Sequence, residues 1–275
     1  MSATDLLERW RSDLESWAIP DEILAATPES PWVLPRQHFI ARAEAPSADL
    51  ASPSYRRAWE ALTSPGSVLD VGAGAGAACL PLVPRATAIV AVDSDQELLN
   101  VFVDNADRLG AAAFAIHGRW PDVAGKVEPA DVVTCHHVLY NVADLGPFVA
   151  ALTSHARRLV VVELTVRHPL TGLNPLWERF HGLVRPNVPT AYDALAVLKE
   201  LGLAPCHQVW TPSGDSGHGT FEDTVEVTRR RLCLGPDRAD EVAAALRELG
   251  VENDRAVDFG STGAGLMTIW WAGCV

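Results

Sequence analysis

Two short stretches hold the side chains whose types and spacing could do chemistry. The first is VLDVGAGAGA, residues 68–77, where Asp70 precedes Gly72 by two positions and glycines recur at 74 and 76. Residues without a Cβ let backbone N–H groups come close to a ligand, and the start of a following helix favours negative charge there. The second is CHHVLYN, residues 135–141, which offers two imidazoles, His136 and His137, the phenol of Tyr140 and the amide of Asn141. A histidine titrates close to neutrality, so it can accept a proton from an attacking nucleophile. The combination suits a nucleotide-like ligand on the glycine turn with a reacting partner beside the histidines. The competing reading makes the turn purely structural and the histidines hydrogen-bond anchors.

These residues need a scaffold, and the hydrophobic pattern supplies one. Strand-like runs recur at 67–71, 88–92, 112–116, 131–135 and 159–164, with helical spacing at 76–82, 96–109 and 145–155 between them. Alternation of this kind predicts an α/β fold with a largely parallel sheet. Helices are expected at 174–182, 191–201 and 237–249, a strand at 206–210, and a terminal apolar strand, LMTIWW, at 266–271. Residues 221–234 fit helix or strand. Before the sheet, Leu6, Leu7, Trp10, Leu14 and Trp17 fall at helical spacing, and Ser52 is placed to cap a helix over 54–62. Residues 1–63 therefore read as a mainly helical lid or packing segment, and 64–275 as the catalytic domain with an insertion at about 211–265.

Asp93 ends the second strand, twenty-one residues beyond Gly72. A carboxylate there can accept hydrogen bonds from both hydroxyls of a ribose. The pattern Gly72-x-Gly74-x-x-Ala77 also satisfies the dinucleotide fingerprint, so spacing alone does not choose between NAD and a nucleoside sulfonium. Asp70 does help to choose, because a carboxylate under a pyrophosphate adds unwanted negative charge, whereas beside a cationic amino-acid portion it is welcome. Two closing strands, at 206–210 and 266–271, point the same way.

VLDVGAGAGAACLPL, AIVAVDSDQELL and ADVVTCHHVLYNV together resemble the class I (Rossmann-like) S-adenosylmethionine-dependent methyltransferases, over roughly residues 60–210 plus the terminal strand. The resemblance implies a seven-stranded sheet in order 3-2-1-4-5-7-6 with the last strand antiparallel. It implies S-adenosyl-L-methionine as cofactor, held by Asp70, Gly72, Ala73, Gly74, Gly76 and Asp93, with Ser94 near the adenine and His136 lining the cofactor close to its methyl. After the third strand the chain reads HGRWPD, a departure from the family's usual small or acidic residue. Arg119 or Trp120 would flank the purine there, Trp120 by stacking, with plain packing as the alternative.

Methyl transfer needs an in-line approach, and a base only if the nucleophile must lose a proton in that step. His137 and Tyr140 are the candidates for that role. Asn141, Glu163 at the end of the fifth strand, and Trp177 with His181 one helical turn apart are candidates for the substrate wall. His136, His137, Glu163, His168 and His181 suit zinc or iron by type, yet no compact ligand spacing supports a metal.

Composition narrows the partners. A formal charge of −13 disfavours a broad grip on nucleic acid, and no DNA partner is expected. Arg229-Arg230-Arg231, the one basic triplet, reads as a solvated or salt-bridged face, with receipt of an acidic substrate as the weaker alternative. Five scattered cysteines, a charged N-terminus and the lack of a long apolar window fit a cytoplasmic chain without disulfides or a membrane span. The leading expectation is transfer of a methyl group to a small molecule. RNA or protein as acceptor, an NAD-dependent oxidoreductase, and a non-catalytic nucleoside-binding module are the alternatives.

Overall fold

A computed structural model describes residues 2–27, 29–32, 36–44, 51–63, 65–211, 220–251 and 265–274. The elements in chain order are α1 (Ala3–Glu15), α2 (Asp21–Ala25), α3 (Arg36–Glu44), α4 (Pro53–Ala61), β1 (Gly66–Val71), β2 (Ala86–Asp93), α5 (Gln96–Arg108), β3 (Ala112–His117), β4 (Ala130–His136), α6 (Leu145–Ser154), β5 (Ala156–Thr165), α7 (Asn174–His181), α8 (Ala191–Glu200), β6 (Cys206–Trp210), α9 (Phe221–Arg231), α10 (Ala239–Glu248) and β7 (Leu266–Ala272). The seven strands form one sheet in the order β3-β2-β1-β4-β5-β7-β6, as expected. The first five run parallel, and β7 lies antiparallel between β5 and β6.

The apolar runs explain this arrangement. Val68, Leu69 and Val71 of β1, Val132 and Val133 of β4 and Val160, Val161 and Val162 of β5 are buried, as strands covered on both faces require. One face packs under α1, α6 and α8 through Trp10, Phe148, Leu152 and Leu198. The other packs under α4 and α5 through Ala58, Leu62, Leu99 and Phe102. Ser52 caps α4, accepting from the Tyr55 N–H at 3.1 Å.

Two expectations change. The helix predicted at 76–82 does not form: the chain passes through turns and a single 3-10 turn, Leu80–Leu82, before β2 begins. Pro81 and Pro84 explain this, since each lacks an N–H and restricts the residue before it. The ambiguous stretch 221–234 resolves as a helix, α9, opened by a capping box between Thr220 and Asp223. Helices α7, α9 and α10 build a separate apolar cluster around Trp177, Phe221, Leu232 and Leu246, joined by Ile19, Ile23 and Leu24 from the N-terminal segment. Of the Gly/Ser-rich loop at 213–220, residues 213–219 lie outside the described residues, as do 252–264 of the insertion.

Candidate active site

The glycine turn leaves the end of β1 with three left-handed glycines, Gly72, Gly74 and Gly76, at φ 74°, 53° and 97°. Gly72 is required by space as well, because a Cβ there would lie 2.3 Å from the Val138 Cγ2. That contact brings the segment after β4 directly against the turn. Asp93 closes it from the other side: its Oδ2 accepts from the Gly74 N–H at 2.8 Å and its Oδ1 from the Asp95 N–H at 2.9 Å. Each carboxylate oxygen retains a second lone pair for a ligand hydroxyl. Without the expected helix, the turn offers no helix N-terminus, and the N–H groups of Gly72, Ala73, Gly74 and Gly76 are taken up by oxygens of Val92, Asp93 and Ala73.

Asp70 is wholly buried beneath this turn. Its Oδ1 accepts from the Thr134 hydroxyl at 2.8 Å, the Cys79 thiol lies beside the carboxylate, and Oδ2 is shielded from water without a hydrogen bond of its own. Burial raises its pKa above the usual aspartate range, and the neighbouring His136 works against that rise. An acid whose folded pKa is raised favours the folded state while it is protonated. Stability is then lost as pH climbs from the ordinary aspartate value through the raised one. Asp70→Asn is therefore expected to flatten that acid-side slope of ligand-free stability in pH-dependent thermal melts. The same change should weaken binding of a cationic amino-acid group about tenfold or more, the worth of one charge-assisted hydrogen bond.

The segment after β4 is held in an unusual backbone conformation. His137 has φ 60°, a left-handed value that favours glycine and that few other residues adopt. Two bonds to one residue maintain it: the His137 N–H donates to the Glu163 carbonyl at 2.7 Å, and its Nε2 meets the Glu163 Oε1 at 3.1 Å. Glu163 is buried, whereas about a quarter of the His137 side chain is open. With Nε2–H directed at the carboxylate, the proton-accepting lone pair is on Nδ1.

Tyr140 stands otherwise. It is buried, stacks on Trp10 with ring centres 5.9 Å apart, and donates its hydroxyl proton to the Thr165 carbonyl at 2.8 Å. Burial drives its pKa further up, so the phenol keeps its proton and serves as a wall, not as a base. Trp10 in turn donates to the Val142 carbonyl at 2.8 Å, tying α1 over the strand ends.

The remaining predicted residues separate. Gly72 and Ser94 are exposed at the turn and after β2, and the Ser94 carbonyl meets His117 Nε2 at 3.0 Å. Arg119 and Asn141 are solvent-exposed. Trp120 does not offer its face to a purine: it is buried in the main core and meets His155 edge-on at 4.9 Å, so packing accounts for it. Trp177 is buried in the α7–α9–α10 cluster, and His181 Nε2 meets the Leu232 carbonyl at 2.6 Å. Both brace that cluster, which removes them from an open substrate wall. Sequence patterns did not single out Arg36, which links α3 to the start of α5 by reaching Asp95 and Glu97 at 2.8 Å each. Its partners lie about sixty residues away, a pairing that no local periodicity encodes.

Residues 42–207 match the family described as a methyltransferase domain, which is more than half of the chain. The chain belongs to that family. Its fold is that of the class I S-adenosylmethionine-dependent methyltransferases. Among solved structures it is similar to magnesium protoporphyrin IX methyltransferase from Synechocystis PCC 6803, at 14% identity and TM-score 0.53, covering 96% of this chain and 95% of that one. It is also similar to a SAM-dependent methyltransferase from Thiobacillus denitrificans, at 17% identity and TM-score 0.50, covering 87% and 98%. A third, SpnF, is described as a 4+2 cyclase and shares 15% identity at TM-score 0.54, covering 83% and 81%. These likenesses concern the fold, and the cyclase illustrates that one fold serves several reactions. No curated protein sequence matches the chain significantly. Among the described residues no helix is long and apolar enough to cross a membrane, and no cluster of three metal-ligating side chains occurs.

Proposed function

We propose that this chain transfers the methyl group of S-adenosylmethionine to a small-molecule acceptor beyond the carboxyl ends of β4 and β5. The observation that carries the reading is the pair of carboxylates bracketing the glycine turn, Asp70 with a buried oxygen that makes no hydrogen bond and Asp93 with one oxygen on the Gly74 N–H and the other on the Asp95 N–H. A sulfonium and an ammonium suit Asp70, and ribose hydroxyls suit Asp93. A dinucleotide pyrophosphate suits neither, and the turn lacks the helix N-terminus that would offset such a charge.

The cofactor supplies an electrophilic methyl on a cationic sulfur. The chain's part is to orient, dehydrate and hold protons. Gly72, Ala73, Gly74 and Gly76 give the cofactor's amino-acid and ribose portions a backbone cradle, and His136 and Val138 wall the side toward the methyl. His137, oriented by Glu163, accepts the proton that the acceptor's nucleophile sheds. Trp10 and Tyr140 keep water from the strand ends. The cover from α1 and the net negative charge favour a small acceptor over RNA. Free thiols at all five cysteines favour a cytoplasmic setting.

Calorimetric titration with S-adenosylmethionine, S-adenosylhomocysteine and NAD tests this reading. Micromolar binding of both sulfur nucleosides is expected. In Asp93→Ala it should fall about a hundredfold, because hydrogen bonds to a charged group contribute about 1.5–3 kcal/mol each and one tenfold step is about 1.4 kcal/mol. NAD binding alone would overturn it.

A further inference from the structure

The basic triplet at the end of α9 divides. Arg229 is buried and paired with Glu226 at 2.5 Å and Glu29 at 2.9 Å, and Arg230 reaches Glu29 at 3.4 Å. Arg231 has no carboxylate at ion-pair distance among the described residues, and its Nε is shielded from water without an acceptor. Burial first, and then the neighbouring Arg230, lower its pKa to about 10, which leaves it a cation at neutral pH.

Arg185 is a second cation of this kind. It is buried, donates to the Trp17 and Ala18 carbonyls, the latter at 2.8 Å, and its guanidinium carbon stands 5.5 Å from the Trp17 ring and 5.0 Å from the Trp177 ring. Carbonyls and ring faces soften its charge without neutralising it. Its Nε has no acceptor either. His168 joins the two: it stacks on Trp17 at 4.0 Å, and burial followed by the charges of Arg185 and Arg231 lowers its pKa to about 3. Its Nδ1 accepts from the Leu170 N–H at 3.3 Å, so the neutral ring carries its proton on Nε2.

Arg185 is a buried cation and Arg231 a half-buried one, and neither has a carboxylate at ion-pair distance among the described residues. A desolvated cation left so is destabilising, and arginine does not escape by shedding its proton at neutral pH. The Thr228 hydroxyl, one turn before Arg231 on α9, is also buried without a partner. The cluster adjoins the strand ends, since His168 meets Tyr140 edge-on at 5.0 Å, three residues beyond His137. The chain's overall charge of −13 repels anions at long range, so this is a local, desolvated site and not a general collector.

We propose that Arg185, Arg231 and His168 receive the acidic group, a carboxylate or a phosphate, of an anionic small-molecule methyl acceptor. The word acceptor rests on the methyl-transfer reading, whereas the anion site does not. Guanidiniums take either group bidentately, and the Nε2–H of His168 adds a donor.

The test titrates the full chain, saturated with S-adenosylhomocysteine, with benzoate and indole-3-acetate, with their neutral amides benzamide and indole-3-acetamide, and with phenyl phosphate. Trp17 and Trp177 fluorescence is the readout. At least one anion is expected to bind ten times more tightly than its neutral counterpart, and benzoate against phenyl phosphate separates carboxylate from phosphate. Arg231→Gln should abolish the preference, Arg231→Lys should keep part of it, and both should bind S-adenosylhomocysteine as the parent chain does. Equal binding of anions and amides, or a preference that survives in Arg231→Gln, overturns the inference. The His168 ring resonance in the unaltered protein is a readout that needs no variant: the preferred anion should shift it, and no shift overturns the site. Failure of S-adenosylhomocysteine to bind would remove the transfer reaction while leaving the anion preference to be judged by titration alone.

Discussion

Methyl transfer by His137→Asn is expected to run about 10²–10⁴-fold slower than in the parent chain, the usual worth of a positioned general base. Asparagine is chosen because it tolerates the left-handed backbone that His137 adopts at φ 60°. The turn into the segment after β4 should survive, and the Val138 contact against Gly72 with it. The loss should fall on kcat, with S-adenosylhomocysteine affinity unchanged by calorimetry. Glu163→Gln should give a smaller loss of the same kind, since it removes the carboxylate that holds the imidazole at 3.1 Å. A transfer rate in His137→Asn equal to that of the parent chain would mean that the nucleophile arrives already deprotonated, and His137 would then be a wall residue only.

The largest effect on stability is expected from Gly76→Ala. At φ 97° a side chain is strained, and a Cβ there would lie 2.7 and 2.8 Å from Leu80 and 2.8 Å from Phe102, which is fully buried. Left-handed backbone costs an L-residue about 1–2 kcal/mol, and overpacking a close-packed core adds about 1–3 kcal/mol. In a chain of this size each kcal/mol lowers Tm by about 2–4 °C, so a fall of about 5–15 °C is expected by thermal denaturation. Gly110→Ala separates the two contributions, because Gly110 has φ 68° but nothing within 4 Å of a Cβ. It should cost only the conformational part. Equal shifts for the two variants would mean that Leu80 and Phe102 move aside freely.

Much of the scaffold was legible in the sequence because it is encoded locally. Buried strands such as AIVAV and LVVVEL are continuous apolar runs, and α5 opens at Asp95, whose side chain caps it. The glycine turn and Asp93 were legible for the same reason, since left-handed backbone and the close approach of Val138 demand residues without a Cβ at fixed spacing. The helix expected at 76–82 failed because the apolar pattern outweighed Pro81 and Pro84 in that reading, and each proline withholds a helical N–H.

The tertiary structure alone decided which polar residues are spent on the fold. Trp120, Tyr140 and His181 have the right types for a site, yet their partners His155, Thr165 and Leu232 are supplied by distant segments. It also decided that Arg229 is paired while Arg231 has no carboxylate at ion-pair distance among the described residues, a distinction between residues two apart in one basic triplet. Sequence by itself determined the α/β class, the strand order through a family resemblance, and the glycine turn with Asp70 and Asp93 beside it. Which charges remain uncompensated depends on what long-range packing places beside them, and a chain's local pattern carries no record of that.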